Sequence, residues 1–230
     1  MSICRYDPRL FDEIIDWLTV NNQFINVQRL NTMLEEYQFN AGPQISAIAE
    51  YLSSNRTYQL KWKKLLNKYK SQKKEPLFYF KDGKPISIEN KFDEIFLKRG
   101  LKRNKLKTRG MSQNFPQKEI PSLILRMRGL FGLNARSELI TLLASVDQIH
   151  PSEAARITGY YQKTVQTALI EMAQSGIIEI DKSQREKYYR ITSNTIESVL
   201  NKDRIKPQWI NWPSLFSGLD KIWEHIRNLD

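Results

Sequence analysis

The sequence predicts a mostly helical protein: a helical N-terminal module, a small β-hairpin at 77–88, a unit of three helices plus a two-stranded β-hairpin, and a C-terminal amphipathic helix. Three observations carry this. Apolar residues recur at helical spacing through most of the 230 residues. Strand-type runs gather in two places, Leu77–Ile88 and Ile177–Ile191. Between 134 and 193, three helical periods are followed by two short β-type runs across a charged turn. An apolar share of 40% with a charged share of 27% suits a globular chain. No apolar run approaches the roughly 18 residues of a membrane span, so no membrane partner is expected.

Charge is distributed unevenly. Residues 1–60 hold 4 Lys and Arg against 7 Asp and Glu, residues 61–118 hold 18 against 5, and residues 119–230 hold 14 against 13. The middle segment therefore supplies nearly all of the net charge of +11. Such a concentrated basic excess is what a polyanion would meet. The single cysteine, Cys4, excludes an internal disulfide and fits a reducing compartment. Early acidic residues (Asp7, Asp12, Glu13, Asp16) interrupt the N-terminus, which reads as no signal peptide and a cytoplasmic protein.

The N-terminal module spans 1–110. Asp7 and Pro8 suit the N-cap and first position of a helix over 7–19, with Leu10, Phe11, Ile14, Ile15 and Leu18 on its apolar face. Helices over Val27–Tyr37 and Pro43–Leu52 follow. The stretch 58–74 is basic and amphipathic, with Leu60, Leu65, Leu66 and Tyr69 on one face among lysines. Asp82-Gly83 marks the hairpin turn, and Pro85 confines its second run to an edge. A short helix is expected over Lys91–Leu97. Residues 98–109 then carry seven basic residues and no acid. With Gly100 and Gly110 they read as a connector. The functional reading is a basic arm in which Lys102, Arg103, Lys105, Lys107 and Arg109 contact phosphates; the bland one is a solvated linker. The domain boundary is placed at 110–118.

The second domain, 119–194, begins with a helix over 119–133 whose apolar face includes Leu123, Ile124, Met127, Leu130 and Phe131. Ala135–Ser145 has a broad buried stripe. His150-Pro151-Ser152-Glu153 opens the next helix, and Gly159 supplies a left-handed residue at its end. In the helix after it, Val165, Ala168, Leu169 and Met172 share a buried face. That leaves Gln162, Lys163, Thr164, Gln166 and Thr167 outward near its start, flanked by Tyr160 and Tyr161. Gln pairs with adenine edges, Lys with guanine acceptors or phosphates, and Thr with phosphates or the thymine methyl. The two β-type runs enclose Asp181–Lys187, whose tip bears Lys182, Gln184, Arg185 and Lys187.

Residues 134–193 resemble the winged helix-turn-helix domain of bacterial transcription regulators, in the broad MarR and ArsR grouping. The motifs SEAARITGYYQKTVQTAL and SGIIEIDKSQREKYYRIT carry the resemblance, over about a quarter of the chain. It implies sequence-specific binding of double-stranded DNA. Tyr160, Tyr161, Gln162, Lys163, Thr164, Gln166 and Thr167 would form the recognition helix; Lys182, Gln184, Arg185 and Lys187 would form the wing; and Ser152 would meet the phosphate backbone. The metal sensors of that grouping cluster Cys and His, whereas Cys4, His150 and His225 stand far apart here, so no metal or other cofactor is expected.

Residues 195–230 form a C-terminal extension. Leu215, Phe216, Leu219, Ile222, Trp223 and Ile226 make a wide apolar stripe, which must bury against this chain or against a second copy. A homodimer is expected. No phosphate loop, metal cluster or nucleophile elbow is present, so the chain is not read as an enzyme. Two other readings stay open: a protein-interaction adaptor built on 134–193, and a structured-RNA binder built on 58–109.

Overall fold

The computed structural model describes residues 3–69, 73–88, 91–181, 186–200 and 206–227. The protein is mostly helical, with a small two-stranded antiparallel sheet. It divides into two compact units, residues 1–114 with 212–230, and residues 115–211. The 195–230 segment, expected as one extension, thus splits between them.

In the first unit, α1 (Pro8–Val20) starts where the Asp7 carboxylate accepts from the Leu10 N–H at 3.0 Å. It buries Phe11 and Ile15, while Leu10, expected on the inner face, is largely exposed. Asn26 caps α2 (Val27–Glu36) in the same way. α3 (Gly42–Ser53) and α4 (Gln59–Lys68) lie together, tied by Ser46 Oγ donating to the Leu66 carbonyl at 2.9 Å. Leu60 was expected inward on α4 but is among the most exposed apolar residues; Trp62 takes the inner place, its indole N–H on Asn22 Oδ1 at 3.1 Å.

The expected hairpin contracts to a single bridge between Tyr79 and Pro85, closed by Phe80 N–H on the Lys84 carbonyl at 2.8 Å. Ile86 N–H on the Phe78 carbonyl at 3.0 Å flanks the bridge on its other side, so Pro85 stands at the pair that exchanges no N–H bonds and its missing donor is tolerated. Gly83 takes the positive φ of 79° that the reversal requires. Instead β1 (Glu75–Pro76) pairs in parallel with β2 (Leu101–Lys102), on either side of α5 (Glu94–Lys98). Phe11 packs edge-on against Phe78 and Phe96 at the centre.

The second unit contains α6 (Leu123–Phe131), α7 (Ala135–Leu143), α8 (Pro151–Thr158), α9 (Gln162–Gln174), β3 (Ile178–Asp181), β4 (Tyr188–Ile191) and α10 (Ser193–Leu200). One core joins Leu123, Met127, Leu139, Leu142, Leu143, Ala154, Val165, Leu169, Met172, Ile178 and Tyr189. Leu130, expected in this core, points to solvent. Arg128 on α6 binds Glu138 on α7 at 2.6 Å, which pairs a nearly buried carboxylate. The strands β3 and β4 run antiparallel, with Glu179 opposite Arg190 and Ile180 opposite Tyr189. Ile149, between α7 and α8, adds a bridge to Tyr189 through N–H to carbonyl bonds of 2.9 and 3.0 Å. α11 (Trp212–Arg227) belongs to the first unit. Among the described residues no helix is long and apolar enough to cross a membrane.

Candidate nucleic-acid interface

α8 and α9 meet through a tight turn whose geometry is written in three residues. His150 caps α8: its Nδ1 accepts from the Ser152 N–H at 3.3 Å and lies 2.7 Å from Ser152 Oγ. Pro151 occupies the first helical position, where no N–H is needed. Gly159 ends the helix in the left-handed conformation, φ 68°, donating to the Ala155 carbonyl at 2.7 Å. Ser152, expected on a phosphate, is therefore already the partner of the cap, although it remains exposed.

The turn sends α9 off with Val165, Ala168, Leu169 and Met172 buried and the opposite face open. Tyr161 is 87% exposed, and Gln162, Lys163, Thr164, Gln166 and Thr167 are exposed beside it. Tyr160 is half-buried and packs on the core, so it supports the turn more than it presents a surface. No side chain caps α9, which leaves its first backbone N–H groups to solvent or a ligand. Lys163 makes no ion pair among the described residues. The structure thus brings six expected residues onto one continuous polar face at the start of one helix.

Lys182, Gln184 and Arg185 lie outside the described residues. Lys187 is exposed at the start of β4. Three arginines that sequence reasoning passed over also sit on this unit's surface, but each is held by a carboxylate: Arg136 by Glu171, Arg156 by Glu153 and Arg190 by Glu179. Arg156 and Glu153 stand three residues apart on α8, Arg190 and Glu179 face each other across β3 and β4, and Arg136 and Glu171 join two helices. Burial pushes the Tyr189 phenol above its ordinary value, so this ring acts as core under the sheet.

The basic segment of the first unit is only partly the arm the sequence suggests. Arg103 is a correction. Its side chain is 4% exposed and grips Asp12 with two bonds of 2.7 and 3.0 Å, and its guanidinium lies 4.9–5.9 Å from the ring centres of Phe96, Phe78 and Phe11. Arg99 is likewise turned in, on Glu50 at 2.6 Å and the Leu66 carbonyl at 2.9 Å. Asp93 fixes the chain further along, its Oδ2 accepting from the Leu106 N–H at 2.9 Å. The first half of the expected connector is therefore packed structure. Lys105, Lys107 and Arg109 are exposed, and Lys102 is half-buried. Lys102, Lys105 and Lys107 line a depression of about 190 Å³ with Arg103, whose charge Asp12 answers.

Comparison of the chain with protein-family models, with curated proteins and with solved structures gave no match.

Proposed function

We propose that the chain is a sequence-specific double-stranded DNA-binding protein, a transcription regulator, and that residues 134–193 act as a winged helix-turn-helix. The observation that carries this is the α8–α9 turn with Tyr161, Gln162, Lys163, Thr164, Gln166 and Thr167 together on the open face at the start of α9. A helix of about 10–12 Å diameter fits the major groove, and its first turns reach base edges. In this reading Gln162 and Gln166 address adenine edges, Lys163 a guanine or a phosphate, and the uncapped backbone N–H groups a phosphate. Strands β3 and β4 form the wing, with Lys187 at its exposed end. Lys102, Lys105, Lys107 and Arg109 hold phosphates without regard to sequence.

The structured-RNA reading finds less support. The aromatic side chains of 58–69 are engaged with the core: Trp62 is buried, while Tyr58 and Tyr69 pack against it. Of the rings in 58–109, Phe80 and Phe92 are the ones left exposed for bases to stack on.

Selection of bound sequences from a random duplex pool, followed by anisotropy titrations, tests the proposal. A defined consensus is expected. Gln166→Ala should lose about 1–3 kcal/mol of discrimination at one base position. Charge reversal at Lys105, Lys107 and Arg109 should weaken all duplexes alike and flatten the salt dependence. Binding without sequence preference, or indifferent to both changes, would overturn the assignment.

A further inference from the structure

The helix α11 is arranged inside out. The stripe it turns toward its own unit is Pro213, Ser217, Asp220 and Trp223, all half-buried. Trp223 meets Tyr6 edge-on at 5.5 Å, and Ser214 Oγ is 3.4 Å from the Tyr37 hydroxyl. Trp212, Leu215, Phe216, Leu219, Ile222 and Ile226 lie outside that stripe, each between 41% and 58% exposed. A helix that rests on its own unit through a narrow stripe and leaves six large apolar side chains outward has its main contact elsewhere.

The pattern of that stripe says what covers it. Counted from Leu219, outward apolar residues stand three and seven positions away in both directions: Phe216 and Trp212 toward the N-terminus, and Ile222 and Ile226 toward the C-terminus. Leu215 aside, whose counterpart Trp223 faces the first unit, the outward stripe reads the same in both chain directions. That is the condition for an antiparallel helix to fit a second copy of itself about a two-fold axis at Leu219. In that pairing Trp212 meets Ile226 and Phe216 meets Ile222, large against small. Gly218 also leaves room at the centre: a Cβ added there would meet nothing within 4 Å.

Size agrees. Six half-exposed large side chains offer on the order of 500 Å² of apolar surface per chain. Two copies would bury roughly 1,000 Å² from these side chains alone, where specific interfaces begin. We infer that α11 is a dimerisation helix, pairing antiparallel with α11 of a second copy about Leu219.

Analytical ultracentrifugation of the full chain over a concentration series tests this without reference to DNA. A reversible dimer is expected, and Leu219→Glu, which sets two carboxylates against each other on the axis, should raise the dissociation constant by about a hundredfold or more. Circular dichroism and Ser217→Ala, on the inner stripe, check that the fold itself is intact. Register is read by mixing Phe216→Cys chains with Ile222→Cys chains in a Cys4→Ala background under mild oxidation. The mixed disulfide should exceed both homodisulfides. A monomer at all concentrations, as when another part of the same chain covers the stripe, overturns the inference. So does a dimer indifferent to Leu219→Glu, or dominance of the homodisulfides.

Discussion

Arg103→Ala separates a structural arginine from a phosphate-binding one. In the wild type, two nitrogens of Arg103 hold both oxygens of Asp12, its Nε donates to the Asn104 carbonyl at 2.9 Å, and three phenyl rings surround the guanidinium. Truncation leaves the Asp12 carboxylate, only 25% exposed, without its cation. Breaking a buried pair from one side costs about 3–5 kcal/mol. Partial hydration of Asp12 lowers the expectation to about 2–4 kcal/mol. With a urea dependence of roughly 2 kcal/mol per molar, the unfolding midpoint of this unit should fall by about 1–2 M. Replacing both partners, Asp12→Leu with Arg103→Met, should recover most of the loss, because neither charge is then stranded. Urea unfolding followed by tryptophan fluorescence measures the midpoint, since Trp62 lies in the same core. A wild-type midpoint for Arg103→Ala, with a DNA salt slope reduced by about one, would refute the burial argument and return Arg103 to the phosphate arm.

Gly42→Ala should destabilise the first unit by about 1–3 kcal/mol, because the new Cβ would stand 2.5 Å from Cδ1 and 2.9 Å from Cγ of Tyr69; restoration by Tyr69→Leu in thermal melts would identify the ring as the obstacle, and no restoration would point to the backbone. Burial raises the Tyr189 phenol in the folded state, so the protein binds that proton more tightly folded than unfolded. Its contribution is complete below the ordinary tyrosine value of about 10 and is lost as pH rises toward the folded value. Tyr189→Phe should therefore show a shallower alkaline fall in urea midpoint than the wild type, and parallel curves would refute the assignment.

Local signals were legible in the sequence because their causes are local. Asp7-Pro8, His150-Pro151 and Gly159 mark helix ends within one or two residues of where they fall, since capping needs only neighbouring backbone. The outward face of α9 was readable for a related reason: its buried residues recur at helical period, which leaves Gln162, Lys163, Gln166 and Thr167 on the other side. What the sequence hid depends on distant partners. Arg103 looked like one of seven equivalent cations, and only Asp12, 91 residues earlier, distinguishes it. The parallel pairing of Glu75–Pro76 with Leu101–Lys102 carries no alternation at two residues per strand. On α4, periodicity predicts Leu60 on the inner face; Trp62 takes that place, its indole held by the distant Asn22 acceptor.

On the proposed function, the same long-range pairs would limit how tightly the basic segment holds DNA. The first unit has 23 Lys and Arg against 15 Asp and Glu, and the second 13 against 10. Within 98–109, Lys98 and Arg99 are taken by Glu50, and Arg103 by Asp12. Lys102, Lys105, Lys107 and Arg109 would be left to neutralise phosphates. Each phosphate neutralised contributes about 0.9 to the slope of log affinity against log salt, so this segment supplies a slope of at most about −3.6. Lys163 and Lys187 bring the total for these six side chains to about −5.4. On the proposed function, selectivity would come from base contacts at the start of α9, and a second copy would double both contributions at one site. Pairing through α11 would join the two readers without using any of the side chains assigned to DNA.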